Sequence, residues 1–212
     1  MNFTDIKIEQ YCISNSMDVP QYLIELERET NLTRTMPQML SGRLQGRILA
    51  FFSKLSRPVR ILEIGTFTGY SALCLAEGLQ ENGELITIEY DHTLKDIIEK
   101  YIRISGFQDK IEVIYEDARK VLGTLQGEFD LVFIDAFKED YIYYYEKILP
   151  LMKKDGIIIA DNVLWSGKVL EEDTKDRSAV ALREFNLHIK RDKRVENIII
   201  PVRDGLSIIR KK

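Results

Sequence analysis

The chain has 212 residues, 45% of them hydrophobic and 30% charged, with 30 Lys and Arg against 34 Asp and Glu for a net charge of -4. That balance suits one globular domain with a substantial core, and it excludes both a disordered polyelectrolyte and a chain drawn to nucleic acid or anionic membrane by its overall charge. The two cysteines, Cys12 and Cys74, lie far apart with neither Cys-x-x-Cys nor metal-ligand spacing, which points to buried thiols in a reducing compartment.

In chain order, Met1-Asn-Phe-Thr-Asp-Ile-Lys7 has no basic region followed by an apolar core, and no apolar run reaches the roughly 18 residues of a membrane span. A cytoplasmic protein without a membrane partner is expected. Residues 1–57 read as helical. Asp18-Val-Pro20 predicts a helix start, the acid as cap and the proline in the first turn, with apolar Leu23 and Leu26 following. A second helix is expected to open at Pro37, where Met39, Leu40, Leu44, Ile48, Leu49 and Phe52 recur at helical spacing. Gly42 and Gly46 fall inside it at a cost of about 1 kcal/mol each relative to alanine, so close packing or a ligand is expected there. These helices should lie against a sheet or against a second subunit of a homodimer.

From Arg57 onward, strands and helices alternate. Val59 to Ile64 reads as a buried strand, followed by Gly65 and Gly69, a tight turn and helix 70–80. The spacing is not Gly-x-Gly-x-x-Gly, and no Gly-Lys-Ser/Thr follows, which excludes a P-loop. Asn82-Gly83 marks a turn before strand 84–89, then helix 92–105 with Gly106 as its cap. Strand 110–115, a short helix reaching Leu125, strand 129–135, helix 138–152, strand 156–161 and helix 176–191 follow. Strands 195–200 and 206–210 are joined by too few residues for a parallel crossover and are expected to form an antiparallel hairpin. The alternation predicts a seven-stranded, mostly parallel α/β sheet with helices on both faces.

In such a sheet ligands collect at the carboxyl ends of the strands. Glu63, Glu89, Asp135 and Asp161 occupy those ends, and Asp117 follows the third strand closely. Any one of them reads as a helix cap, but a cluster repels itself unless hydrogen bonds or a cation compensate. Asp135 with Asp161-Asn162 supplies hard oxygens of the kind preferred by Mg²⁺, Mn²⁺ or Ca²⁺, and the lack of histidine among them disfavours zinc.

Glu63-Ile-Gly-Thr-Phe-Thr-Gly69 together with Glu89 resembles the S-adenosylmethionine site of class I methyltransferases. Phe129-Asp-Leu-Val-Phe-Ile-Asp-Ala-Phe-Lys-Glu-Asp-Tyr141 and Asp161-Asn-Val-Leu-Trp-Ser-Gly167 resemble cation-dependent O-methyltransferases, the family of catechol and caffeoyl-CoA methyltransferases. The resemblance runs from about Met36 to the carboxyl terminus and implies a Rossmann-like core over residues 58–212, preceded by the helical segment 1–57 in one domain. It implies Asp135, Asp161 and Asn162 as metal ligands and Lys138 as general base. Glu63, Gly65 and Ser71 are implied as contacts to the methionine part of the cofactor, Glu89 as the ribose acid and Asp117-Ala118 as the adenine region. Asp135 is implied to touch metal and cofactor alike, and Trp165 to lie near the substrate mouth. Arg203 stands where relatives commonly carry glycine.

The expected reaction is transfer of a sulfonium methyl to an oxygen of a vicinal diol of catechol or caffeoyl type, activated by the cation and by Lys138. Two other readings are a tRNA hydroxyuridine methyltransferase, for which Arg28, Arg34, Arg43, Arg47, Arg57 and Arg60 would form a basic patch, and a non-catalytic nucleotide-binding module. The second of these predicts a broken site, whereas every cofactor and metal position is filled here.

Overall fold

The computed structural model describes residues 5–212. Seven strands, β1 (Arg60–Ile64), β2 (Glu84–Glu89), β3 (Ile111–Tyr115), β4 (Phe129–Ile134), β5 (Met152–Ala160), β6 (Val195–Ile200) and β7 (Leu206–Lys211), form one sheet in the order β3-β2-β1-β4-β5-β7-β6. The pairings from β3 through β5 are parallel, and β7 runs antiparallel to both β5 and β6. The chain steps outward from β1 to β2 and β3, then returns to lay β4 on the other side of β1. The β1/β4 boundary is therefore the switch point, the place where open α/β sheets bind their ligands beyond the strand ends.

The helices are α1 (Ile6–Ser14), α2 (Gln21–Thr33), α3 (Gly42–Ser56), α4 (Tyr70–Ala76), α5 (Lys95–Ser105), α6 (Ala118–Val121), α7 (Tyr141–Ile148) and α8 (Arg177–Arg191). Because strand side chains alternate, Ile61, Leu131 and Phe133 enter one core with residues of α2 to α5, while Leu62, Ile64, Val132 and Ile134 enter the other with residues of α7 and α8. The central strands are buried on both faces, as continuous apolar runs require. No helix of the described residues is long and apolar enough to cross a membrane.

Element identities match the expectations, and boundaries shift for local reasons. Helix α2 starts at Gln21 with Pro20 as its cap residue and no side-chain cap bond, so Asp18 lies outside it. Pro37 opens only a 3-10 turn to Met39, and α3 begins at Gly42, whose φ of 75° breaks any continuous helix. Helix 138–152 resolves into a 3-10 turn, α7 and a second 3-10 turn at Leu149–Leu151 containing Pro150, which has no N–H to continue the ladder. β5 starts earlier than expected, at Met152, which pairs with Phe129 across a register shift. At Gly46 the expected close packing is found: an added Cβ would lie 2.6 Å from the ring of buried Tyr70 and 2.9 Å from Cys74 Sγ.

Gly46→Ala therefore overpacks the α3/α4 contact and should lower stability by about 1–3 kcal/mol. The check is a fall in urea midpoint at unchanged m-value.

Candidate active site

β1 delivers Glu63 and Ile64 to the switch point, and the chain then turns at Gly65, whose φ is 96°. A Cβ there would lie 2.0 Å from the backbone oxygen of Asp135, so only glycine lets the two strand ends meet. The flanking bonds hold the approach: Gly65 N–H donates to the Ile88 carbonyl at 3.0 Å and Asp135 N–H to the Ile64 carbonyl at 2.9 Å. Gly69, at φ 94°, is the cap residue of α4; added bulk would meet nothing closer than 3.9 Å, so there the backbone conformation alone selects glycine.

Glu89, at the end of β2, braces this turn from below. Its Oε2 accepts from Thr66 N–H at 3.2 Å and Phe67 N–H at 2.7 Å, and its Oε1 from Asp91 N–H at 2.7 Å. Burial raises its pKa, and those three backbone donors oppose the rise. Glu63 is fully buried. One oxygen accepts from the Thr87 hydroxyl at 2.5 Å, and the other, Oε1, has no partner. Burial pushes its carboxyl up to about 8, with Asp135 and Glu89 adding to the rise and Ser71 and Thr87 opposing it. An orphaned buried acceptor beside a glycine turn fits a ligand that brings a donor or a positive charge.

Asp117 is the cap of α6. Its Oδ1 accepts from Arg119 N–H at 2.8 Å, and Arg119 pairs with its Oδ2 at 2.8 Å; these contacts hold its carboxyl below the ordinary range. Ala118 opens α6 and packs partly buried against the second core.

Around the ends of β4 and β5 the polar groups interlock. Lys138 is buried; its Nζ lies 2.7 Å from Asp135 Oδ1 and 2.8 Å from the Tyr141 hydroxyl, which donates to the Asp161 carbonyl at 3.0 Å. Asp161 Oδ1 accepts from Asn162 N–H at 2.6 Å and Oδ2 from Gln45 Nε2 at 2.5 Å. Burial and the neighbouring Asp135 carboxylate push Asp161 up to about 7. Burial pulls Lys138 down, but Asp135, Tyr141 and Asp161 outweigh it and hold the ammonium above the usual lysine range. The neighbours therefore leave Lys138 holding its proton more tightly than a free lysine, despite its burial. Asn162 and Trp165 both have left-handed backbones, with φ of 58° and 45°. The Trp165 indole donates to Asp176 at 3.1 Å, tying it to the start of α8.

Asp135 and Asp161, carried by adjoining strands, and Asn162, next to Asp161 in the chain, are of the oxygen-donor types that a hard divalent cation takes. Gln45 and Tyr141 were not singled out in the sequence. The two glycines flanking Gln45 were the only signal near it, and Tyr141 lies one helical turn beyond Lys138. A second cluster, Glu146, His188 and Asp192, forms between α7 and the end of α8, but Arg194 already donates to both carboxylates, at 2.9 and 2.6 Å. The adjoining cleft, lined by Ile142, Leu187 and Arg191 among others, contains none of the strand-end acids.

Glu63 and Asp161 keep their protons to higher pH in the fold than in the unfolded chain, where they titrate near 4.5 and 3.8. Their contribution is complete below those values and is lost as pH rises through about 7 to 8. For protein free of cofactor and divalent ions, the urea midpoint should fall between pH 5 and pH 9, and Glu63→Gln should flatten that fall. An equal slope in the variant would show that Glu63 titrates normally.

The model of the O-methyltransferase family matches residues 13–212. The caffeoyl-CoA O-methyltransferase of Stellaria longipes is 30% identical over 99% of this chain and 95% of its own length. The catechol O-methyltransferase of Niastella koreensis is 34% identical over 78% of this chain and 76% of its own. The crystal structure of an SAH-bound methyltransferase from Podospora anserina superposes with a TM-score of 0.90 at 34% identity, covering 97% of this chain and 94% of that one. With the sheet order, the glycine turn at the switch point and these likenesses in hand, the chain belongs to the O-methyltransferase family and is an S-adenosylmethionine-dependent O-methyltransferase.

Proposed function

We propose that the enzyme methylates one hydroxyl of a vicinal diol on a small aromatic molecule of catechol or caffeoyl type, with a divalent cation held by Asp135, Asp161 and Asn162. The observation that carries this reading is the buried Asp161 carboxylate at the end of β5, next to the β4 end that carries Asp135. Its own burial and the Asp135 charge push its proton affinity up, a strain that a cation relieves. The similarity to caffeoyl-CoA and catechol O-methyltransferases supports the acceptor class. When bound, Mg²⁺, Mn²⁺ or Ca²⁺ supplies Lewis acidity that lowers the pKa of a ligated hydroxyl and fixes the neighbouring oxygen.

This chain's residues do the rest. Gly65, Ser71 and the unpartnered Glu63 Oε1 receive the methionine part of the cofactor. Glu89 holds the ribose with the lone pairs its backbone donors leave free, and Asp117-Ala118 borders the adenine. Asp135 serves cation and cofactor together. Lys138, steadied by Asp135 and Tyr141, is assigned to exchange a proton with the acceptor hydroxyl; its ammonium must first give up its own proton. Trp165, anchored on Asp176, forms part of the substrate mouth.

Three of the six arginines that a tRNA reading needs are engaged. Arg47 is buried against Glu77, Arg43 pairs with Glu27, and Arg60 pairs with Glu84 and stacks over Phe129. That favours a small acceptor. A homodimer belongs to the same proposal, supported by α1, which has no buried residue, and by exposed Phe51 and Leu55 on α3. So does a cytoplasmic location, supported by the two free cysteines.

Asp161→Ala should reduce methyl transfer to catechols by orders of magnitude while S-adenosylmethionine still binds, since Asp161 faces the cation and not the cofactor. Near-normal turnover in that variant, or transfer to bulk tRNA and to no catechol, would overturn the assignment. Glu89→Ala removes both the ribose acceptor and the brace under Thr66 and Phe67. It should weaken cofactor binding by about 1–3 kcal/mol in calorimetry, and unchanged affinity would remove Glu89 from the site.

A further inference from the structure

We infer that Gln45 is a positioning residue for Asp161, aimed by a clasp that Arg203 closes across the amino-terminal segment; the inference rests on the cation reading above. Asp161 and Gln45 are 3% and 1% exposed, so neither has water to fall back on. Each Asp161 oxygen already accepts one hydrogen bond, Oδ1 from Asn162 N–H and Oδ2 from Gln45 Nε2. A carboxylate oxygen offers about two lone pairs, so the direction of what remains on Oδ2 is set by where Gln45 stands. The Asn162 donor is the next residue in the chain and moves with Asp161. Gln45, from a different element, is the fixed reference.

What fixes Gln45 is the start of α3. The guanidinium of Arg203 donates to the Leu40 carbonyl at 2.8 Å, and its Nη1 lies 2.9 Å from where a Cβ on Gly42 would be. The missing side chain at Gly42 and the long one at Arg203 are thus complementary, and together they tie the start of α3 to the turn between β6 and β7. Arg203 adopts φ 49° on the turn between β6 and β7. The same turn holds the other flank of Asp161: Val163 N–H donates to the Gly205 carbonyl at 3.1 Å, Leu164 N–H to the Asp204 carbonyl at 2.9 Å, and Ser166 N–H to the Asp204 carboxylate. Residues 201–205 therefore tie together the segment that presents Gln45 and the loop that presents Asn162. Support of this kind, when removed, typically costs 10- to 100-fold in metal affinity.

The test is Mn²⁺ titration by calorimetry into the S-adenosylmethionine-loaded protein, as wild type, Gln45→Leu and Arg203→Gly, with cofactor affinity and melting temperature measured alongside. Both variants should bind Mn²⁺ about tenfold or more weakly, keep the cofactor Kd within about twofold, and regain methyl transfer at high Mg²⁺ through a raised KM for the ion with kcat near wild type. A merely structural role would lower the melting temperature and leave the Mn²⁺ Kd alone. A folded Gln45→Leu protein with wild-type Mn²⁺ affinity overturns the inference. Should Gln45→Leu not fold, Arg203→Gly decides, because glycine tolerates the left-handed backbone at 203; unchanged Mn²⁺ affinity there overturns it equally. If wild type itself binds no Mn²⁺, the cation reading falls and takes this inference with it, whereas tight wild-type binding with unaffected variants removes this inference alone.

Discussion

The backbone oxygen of Asp135 occupies the space that any side chain on residue 65 would need, and much of the site follows from that contact. It brings the end of β1, with its glycine turn, against the end of β4, with Asp135 and Lys138. Since β4 also pairs with β5, Asp161 is carried to the same place. Three neighbouring strand ends thereby carry Glu63, Asp135 and Asp161, with Lys138 paired to Asp135, and no long loop is required to gather them. The topology does the gathering, because β1 and β4 are neighbours only where the strand order reverses.

Gathering acids has an electrostatic cost that the protein meets differently at each position. Glu89 is compensated by three backbone N–H groups, and the same bonds give the glycine turn its shape. Asp117 is compensated by its own helix and by Arg119. Asp135 has the Lys138 ammonium. Glu63 and Asp161 are left undercompensated, with carboxyls pushed up to about 8 and about 7. Those two lie where a sulfonium-bearing cofactor and a divalent cation are proposed to sit, so the positive charge each lacks is the charge its partner brings.

The parallel sheet, its antiparallel end and the strand-end acids were legible because each rests on local pattern: buried β-favouring runs, Gly65 and Gly69 at a turn, a connection at 201–205 too short for a crossover. Asp117 illustrates where reading a single acid reaches its limit, for it is a helix cap whatever else it borders. Gln45 was not legible. A polar residue at helical spacing among apolar ones gives no sign of pointing at an aspartate 116 positions away. Nor was the Arg203 clasp, because it joins two turns that only the folded sheet brings together. Helix limits at Gly42 and Pro150 were misplaced where one residue broke an otherwise continuous hydrophobic period.

The account stands on Asp135, Asp161 and Asn162 holding a divalent cation. The most direct measurement is anomalous diffraction from crystals grown with Mn²⁺ and S-adenosylhomocysteine. A single strong peak within about 2.0–2.4 Å of oxygens from those three residues is the predicted result. A map with no peak there, or with Mn²⁺ only at the Glu146, His188 and Asp192 cluster, would contradict it.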